Sequence, residues 1–295
     1  VPEPLSTLDV RVDDDTVIVL RRHGNPAGPR LVLSHGNGLA IDLYYPFWSL
    51  LAGDFDLVVY DLRNHGWNRV SRSESHNVAR FARDHDLLLQ AIDDHFGDKP
   101  KIGVFHSVAA LTTLLSANLG SEFAARVLFD PPVCKRGLNY EEFDAAADRV
   151  AGMVRHRTPR FESEQQFAEL LPYLPTFQRA VPGVCDLMAR TTLRESADGD
   201  GYELRCPRDY EAQIIQYAAP FAVMVELDKL RSPTKVIGAD PTLPFSYLPT
   251  LDLSHMLTVD YDFVPETTHF LQLEEPENCV SIMLEFLDRH DLLSS

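Results

Sequence analysis

The chain predicts an α/β fold: a mostly parallel central sheet flanked by helices, with a helical segment inserted late in the sequence. Three observations carry that prediction. Short apolar runs at residues 31–33, 56–60, 126–129 and 234–237, and one leading into Ser107, are too brief for helices and too continuous for strands with one wet face, so they read as strands covered on both sides. Helix-period segments separate them, which is the rhythm of a parallel sheet. Residues 134–230 then break that rhythm with a long, proline-punctuated helical stretch. At 295 residues and 45% hydrophobic, the chain has ample material for one large core.

Residues 8–12 and 16–21 flank Asp13-Asp14-Asp15 and read as an opening β-hairpin. After a loop at 24–29, the strand at 31–33 runs into Ser34-His35-Gly36-Asn37-Gly38, a glycine-rich turn able to aim backbone N–H groups at a ligand oxygen. A short helix is expected over 44–51, a strand over 56–60, and a polar turn at Asp61-x-Arg63-x-His65-Gly66. Val78, Phe81, His85, Leu88, Leu89, Ile92 and Phe96 recur at helical spacing. The strand at 126–129 closes on Asp130-Pro131-Pro132.

Within the insertion, Phe143, Ala146, Ala147, Val150, Met153 and Val154 predict one amphipathic face. Helices are expected over 165–171, 182–194 and from 208 to 216, with a turn at 198–201 and no strands. Such an insertion reads as a cap over the carboxyl edge of the sheet, where open α/β sheets bind ligands. The expected organisation is a core of residues 1–133 and 231–295 with a cap of 134–230. Strands resume at 234–237 and 257–264, and a final helix runs over 276–289 with Pro276 in its first turn.

Charge narrows the partners. Lys and Arg number 27 against 44 Asp and Glu, and a formal charge of −17 opposes nucleic acid or an anionic membrane surface. No apolar run is long enough to span a bilayer, and the first residues lack the basic start and apolar stretch of a secretory signal. Cys134, Cys185, Cys206 and Cys279 are widely spaced without a Cys-x-x-Cys pair, which suits a reducing compartment and no structural metal. The expectation is a soluble cytoplasmic protein with a small-molecule substrate.

Three features fall at one edge of the expected sheet: Ser107 between its strand and an apolar helix, the His35–Gly38 loop, and His269 after the last strand. A strand, a sharp turn with serine at its apex, and a helix form a nucleophile elbow. The usual Gly-x-Ser-x-Gly here reads Phe105-His106-Ser107-Val108-Ala109, so both glycines are replaced. A serine hydroxyl needs a base, a group orienting that base, and donors for a developing oxyanion.

Taken together, the His35–Gly38 loop, the Asp61–Gly66 turn, the serine elbow, the cap and Thr268-His269-Phe-Leu-Gln-Leu-Glu-Glu-Pro276 resemble the α/β-hydrolase superfamily. Gly36-Asn37-Gly38 with the aromatics after it, Asp61-x-Arg63-Asn64-His65-Gly66 and Leu128-Phe129-Asp130-Pro131-Pro132 are similar to a microbial and fungal branch holding peroxisomal-type acyl-CoA thioesterases and lipases.

The resemblance implies Ser107 as nucleophile, His269 as general base, and Asn37 as an oxyanion donor beside the backbone N–H of Val108. No metal or organic cofactor is implied. Two positions compete for the acid: Asp240, in a Gly238-Ala-Asp240-Pro turn one residue short of the common pattern, and Asp130, used in some members and favoured here. His106 is expected to pack or to line the substrate edge rather than act as base, and Asp61, Arg63 and His65 to buttress the site. The implied activity is hydrolysis of an ester, thioester or lactone of a small, largely apolar substrate. The alternatives are C–C cleavage, lyase or cofactor-free oxygenase chemistry on the same fold, or ligand binding alone.

Overall fold

The computed structural model describes residues 1–134, 140–243 and 259–293. The opening hairpin pairs β1 (Ser6–Arg11) with β2 (Val17–Gly24) antiparallel, Leu8 opposite Leu20. There follow β3 (Arg30–Ser34), α1 (Tyr45–Trp48), β4 (Asp56–Tyr60), α2 (Val78–Phe96), β5 (Lys101–His106), α3 (Val108–Leu114) and β6 (Ala125–Phe129). The insertion supplies α4 (Tyr140–His156), β7 (Arg160–Phe161), α5 (Glu164–Leu170), α6 (Val184–Thr192), β8 (Leu193–Glu195), β9 (Tyr202–Leu204) and α7 (Arg208–Ala222). The chain closes with β10 (Thr234–Gly238), β11 (Asp260–Phe263), α8 (Leu271–Glu274) and α9 (Pro276–Arg289).

The main sheet has the order β1-β2-β4-β3-β5-β6-β10-β11, with β2 antiparallel to both neighbours and parallel pairing from β4 onward. Its five central strands are buried at every residue. Alternation sends Leu31, Leu33, Val59, Val104 and Phe129 to one face, where they meet α1 and α9. Val32, Val58, Phe105 and Leu128 go to the other face, under α2 and α3. Two apolar faces on each strand are why these runs lack polar alternation.

The insertion differs from expectation in holding strands. β7, β9 and β8 form a small antiparallel sheet whose β8–β9 turn is the expected one at 198–201. Strands of two or three residues are too short for period-two alternation to register in a sequence. The buried face of α4 is Phe143, Ala147 and Ala151, whereas Met153 is 71% exposed. The expected start of the cap at 134 runs into residues 135–139, and the expected last strand begins at 257–258; both stretches lie outside the described residues.

The missing glycine at position 105 finds its explanation two residues upstream. Phe105 is fully buried, with its ring edge-on to His85 at 5.2 Å and to Phe123 at 5.8 Å. It lies back over Gly103: a Cβ there would sit 2.6 Å from the Phe105 ring and 3.1 Å from that of Phe123. The bulk has moved from one strand position to another on the same face. Gly103→Ala is therefore expected to destabilise the fold by about 1–3 kcal/mol through overpacking. Adding Phe105→Leu should restore most of that loss in chemical denaturation, and an additive double variant would contradict this packing.

Candidate active site

β5 ends at His106 and α3 begins at Val108, leaving Ser107 to make the whole turn with φ 53° and ψ −120°. Residues with a Cβ rarely adopt this backbone, and it persists only when surroundings over-determine it. Here the Ser107 N–H donates to the Phe129 carbonyl at 2.9 Å. One strand over, Asp130 follows β6 with φ 40°, and its N–H donates to Ile237 of β10 at 2.8 Å. The sheet ladder thus continues one residue past two strand ends.

His269 lies in the loop between β11 and α8. The Glu266 N–H donates to Asp240 at 2.8 Å, and the Asp240 N–H to the Thr267 carbonyl at 2.9 Å. Thr268 donates its N–H and hydroxyl to Glu274 at 2.6 and 2.5 Å. So held, His269 spans the two strand ends: Nδ1 is 2.5 Å from Asp130 Oδ2 and Nε2 is 2.9 Å from Ser107 Oγ. Ser107 and His269 are 7% and 8% exposed and Asp130 is fully buried. With an ionised carboxylate on Nδ1, that nitrogen carries the proton and Nε2 presents its lone pair to the serine hydroxyl.

Of the two aspartates the sequence left open, Asp130 is the one on His269. The Asp240 carboxylate is occupied by Thr242, through its N–H at 2.8 Å and hydroxyl at 2.6 Å, and by Glu266. It ties the β10 turn to the loop of the histidine and does not reach the ring.

The His35–Gly38 loop lies against the elbow. A Cβ on Gly36 would come within 2.8 Å of the His106 ring and 3.2 Å of Ser107 Cβ, so only glycine allows this approach. Gly38, at φ +73°, leaves room for the Glu211 carboxylate, which a Cβ would meet at 2.4 Å. Asn37 Nδ2 donates to the Glu211 carbonyl at 2.8 Å, fastening the loop to α7 of the insertion. Glu211 pairs with Arg157, and burial pushes its carboxyl pKa up against the opposing pull of that guanidinium. The backbone N–H groups of Asn37 and Val108 meet no acceptor among the described residues.

The Asp61, Arg63 and His65 cluster lies behind this loop. Asp61 accepts the N–H groups of Ile41 and Trp67 and pairs with Arg21 at 2.9 Å. Arg63 grips Asp84 with two bonds of 2.6 and 2.7 Å. His65 Nε2 accepts the Gly38 N–H at 3.0 Å, and His35 Nε2 accepts that of Leu62 at 3.0 Å. Tyr44, Glu211 and Glu274 were not singled out from the sequence as parts of the site. Nothing local marks them, because each acts on a segment remote in sequence or through a backbone group. Among the described residues, no group of three or more His, Cys, Asp or Glu side chains is disposed to hold a metal ion.

Six buried histidines surround the site and sheet: His23, His35, His65, His76, His85 and His106. Burial lowers the pKa of each, to about 4 for His23, helped by the charge of Arg21, and to about 3 for His76 and His85, helped by Arg63 and Arg126. Each is depressed below its unfolded value near 6.5, so its contribution to stability is present above that pH and is lost as pH falls toward the folded value. Stability should accordingly fall between pH 6.5 and 5, with each such histidine contributing up to about 1.4 kcal/mol per pH unit. Urea melts of His85→Phe across this window should show a slope shallower by about one proton, and an unchanged slope would contradict its neutral burial.

Solved structures share this architecture at low identity. E-2-(acetamidomethylene)succinate hydrolase aligns with TM-score 0.76 and 17% identity over 96% of this chain and 99% of its own. The thioesterase domain from the curacin biosynthetic pathway gives 0.72 and 16% over 95% and 99%. A peroxisomal alpha/beta hydrolase from Saccharomyces cerevisiae gives 0.68 and 15% over 98% and 89%. A search of curated protein sequences finds no match. A family model described as the alpha/beta hydrolase family matches residues 31–282, and the chain belongs to that family.

Proposed function

We propose that this protein is a serine hydrolase that cleaves an ester, thioester or lactone of a small, largely apolar substrate through an acyl-enzyme. The observation that carries the reading is the unbroken chain from Ser107 Oγ through the two nitrogens of His269 to Asp130. His269 Nε2 takes the serine proton as Oγ attacks the acyl carbon, and Asp130 stabilises the imidazolium that forms. The backbone N–H groups of Asn37 and Val108 receive the negative oxygen of the tetrahedral intermediate. The proton then passes from His269 to the departing alkoxide or thiolate. In the second half-reaction His269 draws a proton from water, which attacks the acyl-enzyme and frees Ser107.

An apolar substrate is favoured by the surroundings of the histidine. Phe270 follows His269 with its ring 6.1 Å away and packs on Phe177 of the insertion at 5.4 Å. Phe161 and Phe167 are buried within the insertion, whereas Tyr173 is 82% exposed.

A fluorophosphonate probe should label the wild-type protein, and Ser107→Ala should lose both labelling and turnover of p-nitrophenyl butyrate. A folded wild type that neither labels nor turns over would sink the hydrolase reading. Asp130→Asn should lower kcat by about 10³–10⁴, the cost of losing the correct imidazole tautomer. Asp240→Asn keeps only one of the two acceptor oxygens of a loop brace, so it should lower kcat by about 10–100-fold, less than Asp130→Asn; the reverse ranking would exchange the two roles.

A further inference from the structure

His106, next to the nucleophile, is 1% exposed and has a defined partner on each nitrogen. Nε2 is 2.8 Å from the main-chain carbonyl of His269, and Nδ1 is 2.6 Å from the Tyr44 hydroxyl. A carbonyl oxygen only accepts, so Nε2 must carry the proton, and in the neutral ring that burial favours Nδ1 is bare. The Tyr44 hydroxyl therefore donates to Nδ1, and its oxygen accepts the Gly36 N–H at 3.2 Å. Each atom in this chain has a single role: Gly36 N–H to Tyr44, Tyr44 O–H to His106, and His106 N–H to His269.

We propose that His106 is a positioning residue which, with its Nδ1 held by the Tyr44 hydroxyl, clamps the main chain of His269 and thereby sets the base against Ser107. Its partner is the carbonyl of the residue whose ring bridges Ser107 and Asp130. The other braces of this loop act earlier, on Glu266, Thr267 and Thr268. Among the described residues, His106 is the brace that bonds the main chain of residue 269, and its ring lies 4.7 Å from the His269 ring. Through Tyr44 the same chain reaches Gly36, so the glycine-rich loop and the base are referenced to one side chain.

This inference rests on the hydrolase reading, and two substitutions separate it from simple packing. His106→Gln keeps an amide N–H at the position of Nε2, whereas His106→Asn can satisfy Tyr44 but falls short of the His269 carbonyl. Both lose the ring, so a purely structural role affects them alike. The rate of fluorophosphonate labelling and the kcat for p-nitrophenyl butyrate are expected to stay within about threefold of wild type in His106→Gln and to fall tenfold or more in His106→Asn, KM moving less than about twofold. Tyr44→Phe, which removes the donor that holds Nδ1, should also lower kcat with KM held. Equal rates in the Gln and Asn variants, or an unaffected Tyr44→Phe, with wild type labelled, overturn the clamp while leaving the hydrolase reading intact. A wild type that is not labelled overturns that reading and the clamp with it.

Discussion

The hydrogen bond from the Ser107 N–H to the Phe129 carbonyl is the contact on which the site depends. β5 and β6 pair in parallel with His106 opposite Phe129, and this bond carries the ladder one residue beyond the end of β5. The Asp130 N–H repeats the device on β10. Two residues with left-handed φ are thereby pinned at the ends of adjacent strands. A single imidazole then bridges both side chains. Local strain at Ser107 and Asp130 is tolerated because the sheet beneath is paired and buried on both faces.

Around that pair the protein uses neutral histidines as fixed hydrogen-bonding parts. His65 and His35 accept backbone N–H groups from Gly38 and Leu62, and His106 donates to a carbonyl. An imidazole can accept on one nitrogen and donate on the other only while uncharged, so burial, by keeping these rings neutral, preserves the geometry of the loops. Ion pairs support these rings, as Arg21 with Asp42 and Asp61, and Arg63 with Asp84 and Asp13. The insertion joins this framework through α7: Tyr210 donates to the Ser71 carbonyl and Gln213 to those of Ser73 and His76.

Much of the architecture was legible because sheet burial writes itself into composition. Strands covered on both faces must be apolar throughout, and helices between them must show a 3.6 period, so β3, β4, β6, β10, α2 and α9 could be read directly. The small sheet of the insertion could not, since its strands of two or three residues carry no pattern. Phe105 looked like a defect in the elbow only because the relieving residue, Gly103, lies outside the motif on the same strand face.

By itself the sequence determined the sheet-and-helix order, the placement of Ser107 at a strand–helix turn, and a histidine after the last strand. These follow from local rules of periodicity, turn chemistry and burial. Tertiary structure alone decided which carboxylate meets His269, since Asp130 and Asp240 both end strands and differ only in where the sheet brings them. It also decided which nitrogen of His106 bears a proton. That depends on a carbonyl 163 residues away in sequence, and the tyrosine answering the other nitrogen is 62 residues away, both brought to the ring only by the folded sheet edge.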